Sequence, residues 1–166
     1  MEILQLASDL ARAAACLAKA CYRDELLCVS EEEIFDNLQR AERYEENFSL
    51  ALVDEHDHLR GYLMAWIQTS LVRQSTEAVL WLDDCCLDRG ARRNFASLIQ
   101  TMVERLEATD KGRLPIETVV TPEGLDLAAD HDDVFEDLGY ALVASHQYED
   151  EASGITMTWL RYQLET

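Results

Sequence analysis

Arg89, Arg92 and Arg93 crowd one short turn, directly behind an apolar run that carries the adjacent aspartates Asp83 and Asp84. The whole stretch reads Trp81-Leu-Asp-Asp-Cys-Cys-Leu-Asp-Arg-Gly-Ala-Arg-Arg-Asn-Phe-Ala96. Guanidinium groups on a turn that opens a helix can converge with free helix N–H groups on one anion, a phosphate above all. An aspartate inside an apolar strand is costly unless solvent, a partner or a task accounts for it. As a functional pair, one carboxylate holds an ammonium while the other relays its proton. As a structural pair, both sit at a bulge or strand end that solvent reaches.

Positioning these groups requires a strand before the turn and a helix after it, and the pattern supplies both. Glu77 to Leu87 alternates and clusters as a strand, and a helix from about Arg93 to Ala108 repeats Phe95, Ile99, Met102, Val103 and Leu106 at helical spacing. Upstream, Met1 to Leu6 reads as a strand. Ser8 is expected to cap a helix to about Tyr22, with Leu10, Ala14, Leu17 and Cys21 on one stripe. Ser30-Glu-Glu-Glu33 has the form of a capping box before a helix that carries Ile34, Leu38 and Ala41. Phe48 to Val53 and Leu59 to Thr69 form a hairpin about Asp54-Glu-His-Asp-His58. Downstream, Lys111-Gly112-Arg113 breaks the helix, Pro115 to Thr121 is a strand, and a turn at Pro122-Glu-Gly124 leads into a helix over Asp126 to Leu138 with Gly139 as its C-cap. Tyr140 to Tyr148 and Ile155 to Leu164 close the chain as a hairpin. The order describes one mixed α/β domain over residues 1–166.

A net charge of −19 over 166 residues argues against nucleic acid and against anionic membranes, both of which need a cationic footprint. The same field favours approach of a cation such as an amine, and it also serves solubility or a salt-adapted host. The five cysteines form no C-x-x-C, and no secretory leader pattern is seen, so reduced thiols in a cytoplasm are expected. No zinc spacing occurs, His56 and His58 fall at a hairpin tip, and no metal is expected. Cys85 and Cys86 point to opposite faces of their strand as small apolar side chains. Trp66, Trp81 and Trp159 are expected in the core.

This element order resembles the GNAT-type N-acetyltransferases, which transfer an acetyl group from acetyl-CoA to an amine. The resemblance is carried by the strand–loop–helix from Val79 to Leu106, by Val134-Phe-Glu-Asp-Leu-Gly-Tyr140, and by the closing hairpin ending in Met157-Thr-Trp-Leu160. It implies a mixed, mostly antiparallel sheet flanked by helices, with a V-shaped splay between two central strands, here Leu80–Leu87 and Pro115–Thr121. The family's pyrophosphate pattern, Gln/Arg-x-x-Gly-x-Gly/Ala, has two placements. Starting at Arg89 sets Arg92 and Asn94 at the small positions. Starting at Ala91 sets Asn94 and Ala96 there and keeps Phe95 and Ile99 in phase with the core; this placement is preferred. Asn94 tolerates a left-handed backbone better than most residues, and Arg92 and Arg93 add charge where a glycine is missing.

The resemblance further implies that the backbone of Cys85, Cys86 and Leu87 faces the pantetheine arm. The cofactor-binding set becomes Cys85, Cys86, Leu87, Arg89, Arg92, Arg93, Asn94, Phe95, Ala96 and Phe135. Asp83 or Asp84 matches the position of the family's carboxylate base. Phe135 stands where a tyrosine commonly protonates the departing thiolate, and loss of a general acid typically costs ~10²–10⁴ in rate; His131 lies one helical turn earlier. The expected activity is direct acetyl transfer from acetyl-CoA to a primary amine of a small molecule or peptide. The alternatives are a catalytically weak or inactive domain that binds acyl-CoA or a protein, and an acidic protein that masks a basic partner. Tyr22 to Ser30 would wall the acceptor site, and the exposed last hairpin offers an edge for a homodimer.

Overall fold

The computed structural model describes residues 1–22, 29–44, 46–72, 74–122 and 132–165. Expectations for Cys28 and most of the Tyr22–Ser30 segment, for His131, and for the turn and helix start at 123–131 lie outside these residues.

Seven strands form one sheet in the order β1-β2-β3-β4-β5-β7-β6: β1 (Glu2–Gln5), β2 (Leu50–Val53), β3 (Leu59–Thr69), β4 (Ala78–Leu87), β5 (Ile116–Val120), β6 (Tyr140–Glu149) and β7 (Thr156–Leu164). Each neighbouring pair is antiparallel except β4 and β5, which run parallel. Helices α1 (Ala11–Cys21) and α2 (Glu31–Arg43) cover one face, and α3 (Phe95–Glu107) covers the other. The long central strand β3 is therefore buried on both sides, which is why it reads as a nearly unbroken apolar run. Among the described residues no helix is long and apolar enough to cross a membrane.

Local chemistry explains most element ends. The Ser30 side chain accepts the Glu33 N–H at 3.2 Å and starts α2, with three glutamates in its first turn complementing the helix dipole. Residues 132–137 are helical, and Gly139 follows with φ +85°, the left-handed cap its position required. Ser8 departs from expectation. A short 3-10 turn over Ser8–Leu10 precedes α1, and the Ser8 N–H donates to Glu42 Oε1 of α2 at 2.7 Å. Its hydroxyl turns to the same carboxylate, so an interhelix tie replaces the cap. The buried face of α1 consists of Ala11, Ala14, Ala15 and Ala18. Methyl-sized contacts let this helix lie close on β3 and β4, so the side chains at its end, Cys21 and Tyr22, reach the sheet.

Two irregularities in β4 shape the middle of the sheet. Its register against β3 jumps from Met64↔Asp84 to Ala65↔Leu82, so Asp83 is the extra residue of a β-bulge. Against β5 it pairs Leu80↔Ile116, Trp81↔Glu117 and Leu82↔Thr118 and then stops, although β4 continues to Leu87 and β5 to Val120. The Thr118 hydroxyl donates to the Leu82 carbonyl at 2.8 Å across the last rung. Beyond it the two strands part, giving the splay that the resemblance implies. The closed end is pinned by Glu117, fully buried. This carboxylate accepts from Ser70 Oγ at 2.6 Å, the Leu71 N–H at 3.1 Å and Arg161 Nη1 at 2.5 Å. Arg161 also reaches Glu77 at 2.6 Å. The start and end of the β3–β4 loop are thereby tied to β5 and β7.

Candidate active site

Bulging turns both aspartates toward the α1–α2 face. The Trp81 indole N–H donates to Asp83 Oδ1 at 3.0 Å. Asp84 accepts two phenols, Tyr22 from the end of α1 on Oδ1 and Tyr62 from β3 on Oδ2, both at 2.5 Å. O–H···O contacts this short are the geometry of hydrogen bonds to an ionised carboxylate. Burial pushes Asp84 up from the ordinary aspartate value, and the two phenols oppose that shift. Both tyrosines are themselves driven upward, first by burial and then by Asp84, so they stay protonated as donors.

Asp83 is less fully held. Burial pushes it up to about 6, the Trp81 indole counteracts, and the neighbouring Asp84 adds to the rise. Two adjacent carboxylates thus acquire different tasks. Asp84 is fixed between phenols, while the other Asp83 oxygen has no hydrogen-bond partner among the described residues and the group is pushed up to about 6, closer to the range where a proton acceptor is useful.

The arginine turn differs from expectation in its backbone. Residues Arg89–Asn94 form a 3-10 helix that runs straight into α3. Asp88 caps it, its carboxylate accepting the Gly90 N–H at 3.3 Å and its carbonyl the Ala91 N–H at 2.8 Å, while the Phe95 N–H bonds to the Arg92 carbonyl. Asn94 has φ −89° and ψ 0°, not the left-handed conformation anticipated. The turn consumes its own amides, so an anion here must be gripped mainly by side chains. Those are available. Arg89, Arg92 and Arg93 are exposed, and among the described residues none has an ion-pair partner. Asn94 Oδ1 is buried with no hydrogen-bond partner among the described residues and so can take a donor from a ligand. Ala91 and Phe95 point into the core and anchor the turn, while Ala96 faces outward.

The other sequence-derived positions divide plainly. Cys85 packs toward the α3 layer and Cys86 toward α1, as alternation required. The β5-facing backbone of 83–87 has no strand partner, which suits an extended, amide-bearing arm. Phe135 is a correction: it is wholly buried and stacks on Tyr162 with centroids 4.3 Å apart, so its side chain offers no surface to a ligand arriving from solvent. Trp66 and Trp81 are core residues as expected. Trp159 is only partly buried; with Val119, His146, Tyr148, Leu71 and Val72 it lines an apolar groove of about 300 Å³. Val119 and Trp159 pack on the same cluster as Trp81, so the groove opens on the same face of the sheet as Trp81.

Tyr22 entered the sequence reading only as the end of a helix and of the segment walling the acceptor site, Trp81 only as a core residue and Tyr62 not at all; none was tied to the aspartates. The tyrosines stand 62 and 22 positions from Asp84, and only the sheet register and the alanine face of α1 bring them together. Trp81 was legible in principle, because an i, i+2 pair on a strand shares a face. Tyr62→Phe removes one of two donors to a buried carboxylate, and urea unfolding is expected to show a loss of about 2 kcal/mol. A change below about 0.5 kcal/mol, the ordinary scatter for a neutral substitution, would mean Asp84 is not held in this way.

No protein-family model matches the chain, and no curated protein sequence is significantly similar to it. Solved structures are. A GNAT-family acetyltransferase from Streptococcus pneumoniae superposes with a TM-score of 0.65 at 14% identity, covering 99% of both chains. Naa20 of Chaetomium thermophilum, in complex with a bisubstrate analogue, gives 0.71 at 11% identity over 99% of this chain and 86% of that one. Arabidopsis thaliana Naa50, bound to the bisubstrate analogue CoA-Ac-MVNAL, gives 0.66 at 9% identity over 99% and 98%. The chain has the fold of the GNAT-type N-acetyltransferases, and at these identities the likeness establishes the architecture.

Proposed function

We propose that residues 1–166 act as one domain that transfers an acetyl group from acetyl-CoA to the primary amine of a small molecule or peptide. The observation that carries this reading is the bulged, splayed β4. It sets Asp83, pushed up to about 6, at the mouth of a gap beyond which lie three arginines with no ion-pair partner among the described residues. When bound, acetyl-CoA supplies an acyl group activated as a thioester. Arg89, Arg92 and Arg93 hold its diphosphate, Asn94 takes a donor, and the backbone of Cys85 to Leu87, which has no pairing with β5, receives the amide-bearing arm.

The chain's own residues do the rest. The strongly negative surface draws an ammonium toward the site. Asp83 accepts a proton from the acceptor, leaving a neutral amine able to attack. Asp84, immobilised by Tyr22 and Tyr62, adds negative potential that favours the positive charge forming on that nitrogen. The apolar groove about Trp159 seats a hydrophobic substituent beside the amine. With Phe135 in the core, no phenol at that position serves the departing thiolate, which lowers the expected rate without abolishing the contribution of positioning.

The missing tyrosine at position 135 and the glycine-poor turn are the grounds for a second reading, a domain that binds acyl-CoA and transfers slowly or not at all. Thiol release from acetyl-CoA, followed across a panel of primary amines and short peptides, separates the two. Amine-dependent release with an acetylated product supports transfer. Coenzyme binding without release on any acceptor overturns it in favour of the binder.

A further inference from the structure

Two thiols that the acetyl-transfer reading does not use meet behind the carboxylate pair. The Cys21 thiol, in the last residue of α1, donates to the Leu87 carbonyl at 3.6 Å. The Cys86 thiol, on the splayed arm of β4, donates to the Leu17 carbonyl at 3.9 Å. In an α-helix the carbonyl of residue 17 points at the N–H of residue 21. Cys86 sulfur therefore lies against the backbone of Cys21, and Cys21 sulfur lies against the carbonyl next to Cys86. The two contacts cross between the same two segments, and the two thiols are near enough to interact directly. Cys85 packs into the opposite layer and Cys16 is exposed, so among the described cysteines the geometry singles out this pair.

We propose that Cys21 and Cys86 are a reversible disulfide site that staples the end of α1 to the splayed arm of β4. A peroxide is the oxidant. Half-buried Cys21 is reached first, and its thiol becomes a sulfenic acid as one water leaves. The Cys86 sulfur then attacks that sulfur, the S–S bond forms, and a second water departs. In sum the two thiols give up two protons and two electrons, and the peroxide becomes two waters. Burial pushes the Cys86 thiol up, which protects it from oxidation by itself; as it attacks the sulfenic sulfur its proton passes to the departing hydroxide, and this is the second water.

The staple reaches the carboxylates. Tyr22 follows Cys21 directly, and its hydroxyl already lies 2.5 Å from Asp84. Drawing two sulfurs from contact to a bond of about 2.05 Å shifts the helix end, and a hydrogen bond with no slack must rearrange.

The test treats the full chain with stoichiometric hydrogen peroxide and maps cross-linked peptides without reduction. In parallel, a Cys16→Ser/Cys28→Ser/Cys85→Ala variant retains only the pair. The expected results are a Cys21–Cys86 peptide in the wild type, a mass loss of about 2 Da in the variant that dithiothreitol reverses, and a thermal midpoint higher by about 10 °C when oxidised. Both thiols still open to alkylation after unfolding, or Cys21 carried alone to sulfinic acid, would overturn the site. A further arm rests on the acetyl-transfer reading: the oxidised enzyme should lose at least half its rate and regain it on reduction. An unchanged rate with the crosslink in place would overturn the link to Tyr22, while the mass results, which need no activity, decide the site itself.

Discussion

Asp83→Asn is expected to produce a protein that is more stable and nearly inert. In the native state Asp83 titrates near 6, against an ordinary value of 3.8, chiefly because burial disfavours its charge. As pH rises the unfolded chain loses this proton first. Between about pH 4 and pH 6 the native state therefore binds more protons than the unfolded state, and stability falls as pH increases through that window. Above it the deficit is complete, on the order of 3 kcal/mol. Asparagine keeps an oxygen for the Trp81 indole and carries no charge. At pH 7.5 urea unfolding should show the variant more stable by about 2 kcal/mol, with the gain vanishing below about pH 4. Loss of the proton acceptor should cut kcat/KM by ~10²–10⁴, and the wild-type rate should fall as pH drops through about 6. A variant that loses stability at pH 7.5, or one that retains half the wild-type rate, would contradict the role assigned to Asp83.

Glu117→Ala is expected to be the most damaging single change to the fold. Its carboxylate is fully buried and serves Arg161, Ser70 and the Leu71 N–H together. Removing it strands a mostly buried guanidinium on the half-exposed Glu77 and leaves the Ser70 O–H and the Leu71 N–H without their acceptor. Breaking a buried ion pair from one side costs about 3–5 kcal/mol, and the loop that carries Leu71 and Val72 loses its tie to β5. Glu77→Ala, which removes the exposed partner of the same arginine, should cost about 1 kcal/mol or less. Paired urea titrations of the two variants check the contrast. Equal losses would show that Glu117 does not organise the network.

Much of the architecture was legible because periodicity and end signals agreed. The Ser30 cap, the α3 stripe, the glycine after residue 138 and the seven strands follow from local rules, which burial then reinforced in the central strands. The site was legible only in outline. Asp83 and Asp84 stood out as charges in an apolar strand, but their division of labour depends on a bulge set by register with β3, and on phenols brought from α1 and β3. Asn94 misled for a different reason. Its tolerance of a left-handed backbone is real, yet Asp88 lies upstream as a ready cap, and a helix that starts there needs no left-handed residue. Ser8 failed similarly: Glu42 of α2 offered its N–H a better acceptor than a local turn could. In each case a partner distant in sequence, or an earlier cap, outcompeted the local preference.

The claim on which the functional account stands is that the arginine turn and the parted strands hold acetyl-CoA. Calorimetric titration of acetyl-CoA into the wild type and into Arg92→Ala/Arg93→Ala tests it most directly. The account predicts a wild-type Kd on the order of 10 µM, within the usual range for enzyme cosubstrates, and at least ~10²-fold weaker binding in the double variant, since each charge-assisted contact to phosphate contributes about 1.5–3 kcal/mol. No heat of binding at millimolar acetyl-CoA, or equal affinity in the two proteins, would contradict it.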